Sequence, residues 1–264
     1  MSVAELSSPM RAWPAVRMVA CADIGLRRGN NEDAVGVRPK AEPWPVAVLA
    51  DGMGGYNAGE VASTMAVDLV TAALQHGPGA DASGKTAECE LVDALRMANT
   101  AILAAQSTPG CQGMGTTVVV ALVRQQQLLL AHLGDSRAYA WREGRLQRIT
   151  RDHSLVQQDI DAGLISEQQA KASRFSHLVT RALGVTPEIE PELNLWPLRQ
   201  RDRIMLCSDG LTDMLDDDRL QDLFSEQAPL PLLLHRLIAS ANEAGGKDNI
   251  SVVLMEADIE SQPA

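Results

Sequence analysis

Thr116-Thr-Val-Val-Val-Ala-Leu-Val123 is a strand-length run rich in β-branched residues, and the segments directly after it decide the architecture. After a short polar gap comes Leu128-Leu-Leu-Ala-His-Leu133. Gly134-Asp135 leads into Ser136-Arg-Ala-Tyr-Ala-Trp-Arg142, and Leu146 to Ile149 returns after Glu143-Gly144. Successive strands joined by connections this short fold back on one another. The sheet is therefore expected to be antiparallel, with Glu143-Gly144 as a hairpin turn.

Upstream, Val16 to Gly25, Ala34 to Arg38 and Pro45 to Ala50 read as strands. The period then changes to helical over Gly59 to His76, where Val61, Ala62, Met65, Ala66, Leu69, Val70, Ala73 and Leu74 recur. A loop from Gly77 to Lys85 leads to a second amphipathic helix, Cys89 to Ala105, with Leu91, Leu95, Ala98, Ile102 and Ala105 on one face. Met65 and Met97 are expected in the core. Downstream, Asp152 to Ala162 reads as a helix with Asp152 or Ser154 at its N-cap. Residues 163–185 are polar and contain a short Gln/Lys helix and Arg174. Glu190 to Trp196 and Arg203 to Cys207 are strands, Leu220 to Gln227 and Pro231 to Ala244 are helices, and Ile250 to Glu256 is a last strand. Strand blocks broken by helix pairs favour an α+β fold over a doubly wound α/β fold. One domain over residues 16–257 is expected, between a flexible N-terminal tail (1–15) and a polar C-terminal tail (258–264).

The chain has 264 residues and a net charge of −11, with 45% hydrophobic and 3% aromatic residues, so its core is built from Leu, Val, Ala, Ile and Met. No basic run is present, which argues against a nucleic-acid partner. No apolar stretch is long enough to span a membrane, and residues 1–13 lack the order of a secretory signal. Cys21, Cys89, Cys111 and Cys207 form no C-x-x-C pair. Reduced, mostly buried thiols in a cytoplasmic protein are expected rather than disulfides or zinc.

Against this background, acids recur in a shared grammar. Asp51 follows Val46-Ala-Val-Leu-Ala50 and opens Asp51-Gly-Met-Gly-Gly55. Asp209 follows Arg203-Ile-Met-Leu-Cys207 and precedes Gly210. Asp135 follows Leu128 to Leu133 beside Gly134, and Asp248 follows Gly245-Gly246-Lys247. Alone, Asp135 and Asp209 read equally as turn aspartates, and Asp51 and Asp248 read better as turn residues than as ligands. The repetition of apolar strand, then Asp beside Gly, points to acids aimed from strand ends into one cleft. Glu32 and Asp33, in Arg28-Gly-Asn-Asn-Glu-Asp33, are adjacent, so in an extended strand they would face opposite sides. Arg28 offers a fork that matches phosphate oxygens, or it pairs with one of these acids. His153 is expected to play a structural or capping part, and His76, His132, His177 and His235 show no ligand spacing. About six carboxylates in one cleft repel strongly unless cations or raised pKa values relieve them.

In this order the segments resemble the metal-dependent protein phosphatase family, type 2C (PPM), especially its bacterial members. Arg28–Asp33, Ala50–Gly55 with Gly59-Glu60, Gly113–Thr117, Gly134–Arg137, Thr150–Ser154, Thr180–Gly184, Ser208–Asp213 and Gly246–Asn249 carry the resemblance, from about Val16 to Glu256. The resemblance implies two packed antiparallel β-sheets, each flanked on its outer face by a pair of antiparallel helices. It implies two core Mg or Mn ions with a third beside them. Asp51 would bridge two ions, and Asp209 and Asp248 would complete the first site. The carbonyl of Gly52, with Glu32 and Asp33, would serve the second, Asp135 and Asp209 would hold the third, and Arg28 would hold the substrate phosphate. The insert at 158–180 would be a flap. Met53 stands where many eukaryotic relatives carry a histidine proposed as general acid, so that role is absent here or passes to water.

All these donors are oxygens, which suits Mg²⁺ or Mn²⁺. Two such ions can bridge a water, lower its pKa and direct the hydroxide at phosphorus. The expected activity is hydrolysis of phosphoserine and phosphothreonine in proteins, opposing a Ser/Thr kinase, by a monomer with phosphorylated proteins as partners. The rival expectations are a catalytically inactive phosphoprotein-binding or sensory module, for which a metal acid should be missing, and a hydrolase of small phosphate esters.

Overall fold

A computed structural model describes residues 15–40, 44–54, 58–76, 87–124, 126–171, 173, 175 and 177–258. Of the expected tails at 1–15 and 258–264, Ala15 and Asp258 are strand residues that pair with each other; the rest of both tails, the loop at 77–85, Gly55 and Arg174 lie outside the described residues. The first half contains β1 (Ala15–Asp23), β2 (Asp33–Arg38), β3 (Val46–Met53), α1 (Ala58–His76), α2 (Ala87–Ala105), β4 (Gly115–Thr116) and β5 (Val118–Arg124). Next come β6 (Gln127–Leu133), β7 (Arg137–Arg142), β8 (Arg145–Arg148), α3 (Leu155–Asp161), α4 (Glu167–Lys171) and β9 (Glu192–Pro197). The chain continues through β10 (Arg203–Cys207), α5 (Asp209–Thr212), α6 (Asp217–Ser225), α7 (Leu230–Glu243) and β11 (Ile250–Asp258).

The strands form two sheets, β1-β11-β10-β7-β8 and β2-β3-β5-β6-β9, with β4 attached to β3. Every pairing between these strands is antiparallel. Glu143 and Gly144 both take positive φ, 52° and 81°, which is the hand a two-residue hairpin turn needs.

Period-two alternation sorts the side chains into layers. Ala47, Leu49, Val119, Ala121 and Leu130 face inward and meet Ala138, Ala140, Leu206, Val253 and Met255 of the other sheet. Val46, Val48, Val118, Val120 and Leu122 face outward, under Ala62, Ala66, Val70, Leu91, Leu95 and Ile102 of α1 and α2. Tyr139, Met205, Cys207, Val252 and Leu254 pack on Leu220, Phe224, Leu233 and Leu237 of α6 and α7. β5 is buried on both faces because it lies between a helix layer and the second sheet, and so it reads as one apolar run. The architecture is the expected α+β sandwich.

Several expectations need correction. Met97 is 46% exposed: it stands two residues past Leu95, about 200° round the helix from the buried face. Val61, 39% exposed, lies about 100° from Ala62 and likewise misses the core. All four cysteines are free, but only Cys207 is buried. Cys89 is exposed, and Cys21 and Cys111 are only partly buried, packed against the margins of the two helix-side cores. β3 does not stop at Ala50, because Gly52 and Met53 go on to pair with Thr116 and Gly115. The short helix α5 was not foreseen.

Candidate metal centre

Asp33 and Asp51 are cross-strand partners in β2 and β3, so their side chains leave the same face of the sheet. No reversal between Glu32 and Asp33 is needed to bring Asp33 to the site. Thr117 fixes the backbone of Asp51. The Asp51 N–H donates to Thr117 Oγ1 at 3.1 Å, and the Thr117 N–H donates to the Asp51 carbonyl at 2.8 Å. Thr116 Oγ1 donates to that carbonyl as well, at 2.8 Å. Thr117 Oγ1 also lies 2.8 Å from Ser136 Oγ, tying β3 to the turn that carries Asp135. The Gly52 N–H donates to the Glu32 carbonyl at 3.1 Å. A Cβ on Gly52 would overlap the carbonyl oxygens of Gly59 and Glu32, so glycine is a packing requirement there. Asp209 opens α5 directly after β10, and Asp248 sits in the bend before β11.

The sandwich thus brings Asp33, Asp51, Asp135, Asp209 and Asp248 to one end. Asp33 and Asp135 are buried, while Asp51 and Asp209 keep a partly exposed side. Burial, reinforced by the neighbouring carboxylates, pushes Asp135 up to about 8 and Asp209 up to about 6. Burial pushes Asp33 up to about 7, although Ser208 Oγ donates to its Oδ2 at 2.8 Å and favours the charged form. Burial and the charges of Asp33, Asp209, Asp135 and Asp248 push Asp51 well above the carboxylate range. Arg137 does little to relieve this charge, because its Nε and Nη2 bind Asp152 at 2.7–3.1 Å. The donors are oxygens with no thiolate among them, crowded enough to hold protons near neutrality. That set fits hard divalent cations.

Glu32 borders the cluster beside Asp248. Burial raises its pKa, and its charged neighbours are Arg28, Asp248 and Glu60. Arg28, half exposed at the rim, donates from Nη2 to Asp248 Oδ2 at 2.6 Å. Pairing with an acid, the second of its two expected roles, is therefore seen in the structure.

Two groups were not singled out in the sequence. His177, Asp209 and Asp213 have ligand atoms within 4.8 Å of one another. Asp213 falls inside the Ser208–Asp213 signature, whereas nothing local marks His177. His132, His153 and Glu192 form a second cluster of that kind, with the imidazoles stacked at 4.6 Å. The hydrogen bonds argue against a cation in that cluster. His153 Nδ1 accepts from the Gly134 N–H at 3.3 Å, so the proton of the neutral ring is on Nε2, the nitrogen that faces Glu192. Burial holds His153 in that neutral form, down at about 4. Its role is structural, as expected: the His153 N–H donates to the Gly134 carbonyl at 2.9 Å and braces the turn of Asp135. Ser154, not Asp152, is the N-cap of α3.

Two antiparallel sheets between helix pairs thus carry acidic side chains at one end and the Arg28 guanidinium at their rim. The chain belongs to the protein phosphatase 2C family, whose sequence profile matches residues 27–250, and it is thus a protein phosphatase. It is 37% identical over 238 residues to the serine/threonine phosphatase stp of Listeria monocytogenes, covering 90% of this chain and 94% of that one. It is 40% identical over 252 residues to the serine/threonine protein phosphatase PstP of Mycobacterium tuberculosis, covering 93% of this chain but only 46% of that longer protein. The crystal structure of the PstP catalytic domain in complex with two manganese ions superposes with a TM-score of 0.81 at 37% identity, covering 93% of this chain and 99% of that one.

Proposed function

We propose that this chain hydrolyses phosphoserine and phosphothreonine in proteins with two Mg²⁺ or Mn²⁺ ions held by the aspartate cluster. The observation that carries the reading is the convergence of Asp33, Asp51, Asp135, Asp209 and Asp248 from five separate segments, with the pKa values of Asp33, Asp51, Asp135 and Asp209 raised by burial and neighbouring carboxylates. Ions bound there would lower the pKa of a water and offset charge on the phosphoryl oxygens. Asp51 is the bridging ligand in this reading. Asp209 and Asp248 serve the first ion. The Gly52 carbonyl, Asp33 and Glu32 serve the second, directly or through water. Asp135 and Asp209 hold a third. Arg28 binds the substrate phosphate, and Met53 takes no part in proton transfer.

The excursion through α3 and α4 is the flap. Its stem is closed by the Leu155 N–H to Leu178 carbonyl bond at 2.9 Å and the Thr180 N–H to His153 carbonyl bond at 2.7 Å. His177 lies 3.9 Å from Asp213, which supports the flap's position beside the acids. The substrates are a Ser/Thr kinase and its targets, and the enzyme works as a cytoplasmic monomer. Among the described residues no helix is long and apolar enough to cross a membrane.

The deciding experiment gives the purified protein a phosphothreonine peptide and a small aryl phosphate, each with Mn²⁺ and then with EDTA. Peptide turnover that needs Mn²⁺ and exceeds ester turnover is expected. Binding without turnover, or a preference for the small ester, would overturn the reading.

A further inference from the structure

Asn249 is buried one residue beyond Asp248, and its side-chain amide is fully committed to one distant segment. Oδ1 accepts from the Glu32 N–H at 2.8 Å. Nδ2 donates to the Ile24 carbonyl at 3.0 Å and to the Asn30 carbonyl at 2.9 Å. The Asn249 backbone N–H meanwhile donates to Asp248 Oδ1 at 2.8 Å, which leaves Oδ2 toward Arg28. One residue therefore grips both ends of the 24–32 segment and orients the carboxylate that Arg28 meets.

The rest of the contact is backbone against backbone. The Leu26 N–H donates to the Gly246 carbonyl at 2.8 Å. Gly25 has φ +75°, and a Cβ there would overlap the Asp248 carbonyl oxygen. The amide is the only uncharged side chain of this size that supplies one acceptor and two donors from a single planar group. An aspartate would set an oxygen against two carbonyl oxygens beside an already acidic site. An alanine would leave all three backbone groups without this partner.

We infer that Asn249 is a positioning residue for phosphate binding. By clamping the 24–32 segment it sets where the Arg28 guanidinium can meet the substrate's phosphoryl oxygens. The inference rests on the reading of Arg28 as the phosphate-binding group. It assigns Asn249 no contact with metal or substrate.

The test compares Asn249→Asp, Asn249→Ala, Arg28→Ala and the double variants, all with saturating Mn²⁺. Readouts are KM and kcat on a phosphothreonine peptide, inhibition by inorganic phosphate, and hydrogen exchange of the Leu26 and Glu32 amides. Asn249→Asp should raise KM and the phosphate inhibition constant together by about tenfold, with a smaller fall in kcat. In the Arg28→Ala background the same change should move KM less than about twofold, because groups that act as a unit are not additive. The two amides should exchange faster while those of β5 do not. Should Asn249→Asp fail to fold, Asn249→Ser takes its place. An unchanged KM and phosphate inhibition in a folded Asn249 variant, with Arg28→Ala behaving as expected, overturns the positioning role alone. So does an equal KM effect in both backgrounds. Unchanged phosphate inhibition in Arg28→Ala itself removes the phosphate-binding reading on which the inference rests.

Discussion

Arg28 Nη2 lies 2.6 Å from Asp248 Oδ2, so the rim guanidinium is ion-paired to a carboxylate proposed to hold a cation. A cation held by Asp248 would compete for the same oxygen and would free Arg28 to meet phosphate, as proposed. Arg28→Ala is therefore expected to raise KM for a phosphopeptide by about tenfold or more, the scale of a lost charge-assisted hydrogen bond. Arg28→Lys should recover only part of this, since an ammonium lacks the planar fork. Steady-state kinetics with phosphate as inhibitor measure both, and an unchanged KM in Arg28→Ala would count against the assignment.

Asp51 sits deepest in the mutual repulsion of the cluster. Asp51→Asn keeps its size and removes one negative charge, so turnover is expected to fall by about a thousandfold or more, the range in which catalytic groups are lost. The EDTA-treated variant should melt no lower than the EDTA-treated parent, because without an ion burial already keeps Asp51 uncharged and the amide is of the same size. Near-normal activity with Mn²⁺ would sink the role.

The acids also set the pH response of metal-stripped protein. Asp33 and Asp135, raised to about 7 and about 8, bind protons more tightly folded than unfolded, so the stability they contribute is lost as pH rises through those values. His153 works the other way. Lowered to about 4 from an ordinary 6.5, it costs stability only as pH falls below 6.5. Between about pH 6.5 and 8.5 the carboxyls dominate, and the EDTA-treated protein is expected to lose about 3 kcal/mol or more. Mn²⁺ should flatten that decline and raise Tm most at the alkaline end. Thermal unfolding across pH with and without Mn²⁺ is the measurement. A stripped protein that gains stability across this window would contradict the described burial of the acids.

Two glycines separate packing from sequence motif. Gly52→Ala forces a methyl into the carbonyl oxygens of Gly59 and Glu32, and should cost about 1–3 kcal/mol with a marked loss of activity. Gly29→Ala, in the Arg28 motif, meets nothing within 4 Å and has no positive φ, so it should leave Tm and kcat close to the parent's. Chemical denaturation with parallel assays distinguishes the two outcomes.

The fold was legible where period and turn chemistry agree. Thr116 to Ile149 gave β5 to β8 and their antiparallel sense, and Gly59 to His76 gave α1. The acids were legible through their repeated position after apolar runs. How Asp33 reaches the site was not, because that depends on its register opposite Asp51, a tertiary pairing that no local pattern carries. Asn249 was legible only as part of the Gly246–Asn249 segment, since its contacts lie with partners at the other end of the chain. Met97 was misassigned because hydrophobicity outweighed its angle on the helix.

β1 pairs along its whole length with β11, the last strand of the fold, with Ala15 opposite Asp258 and Asp23 opposite Ile250. On a ribosome the first strand must therefore wait for the last one to be made. The carboxylate of Asp248 and the amide of Asn249 arrive just ahead of that closing strand. A nascent or truncated chain can thus carry four of the five aspartates and still lack the strand pairing that closes the sheet beside them.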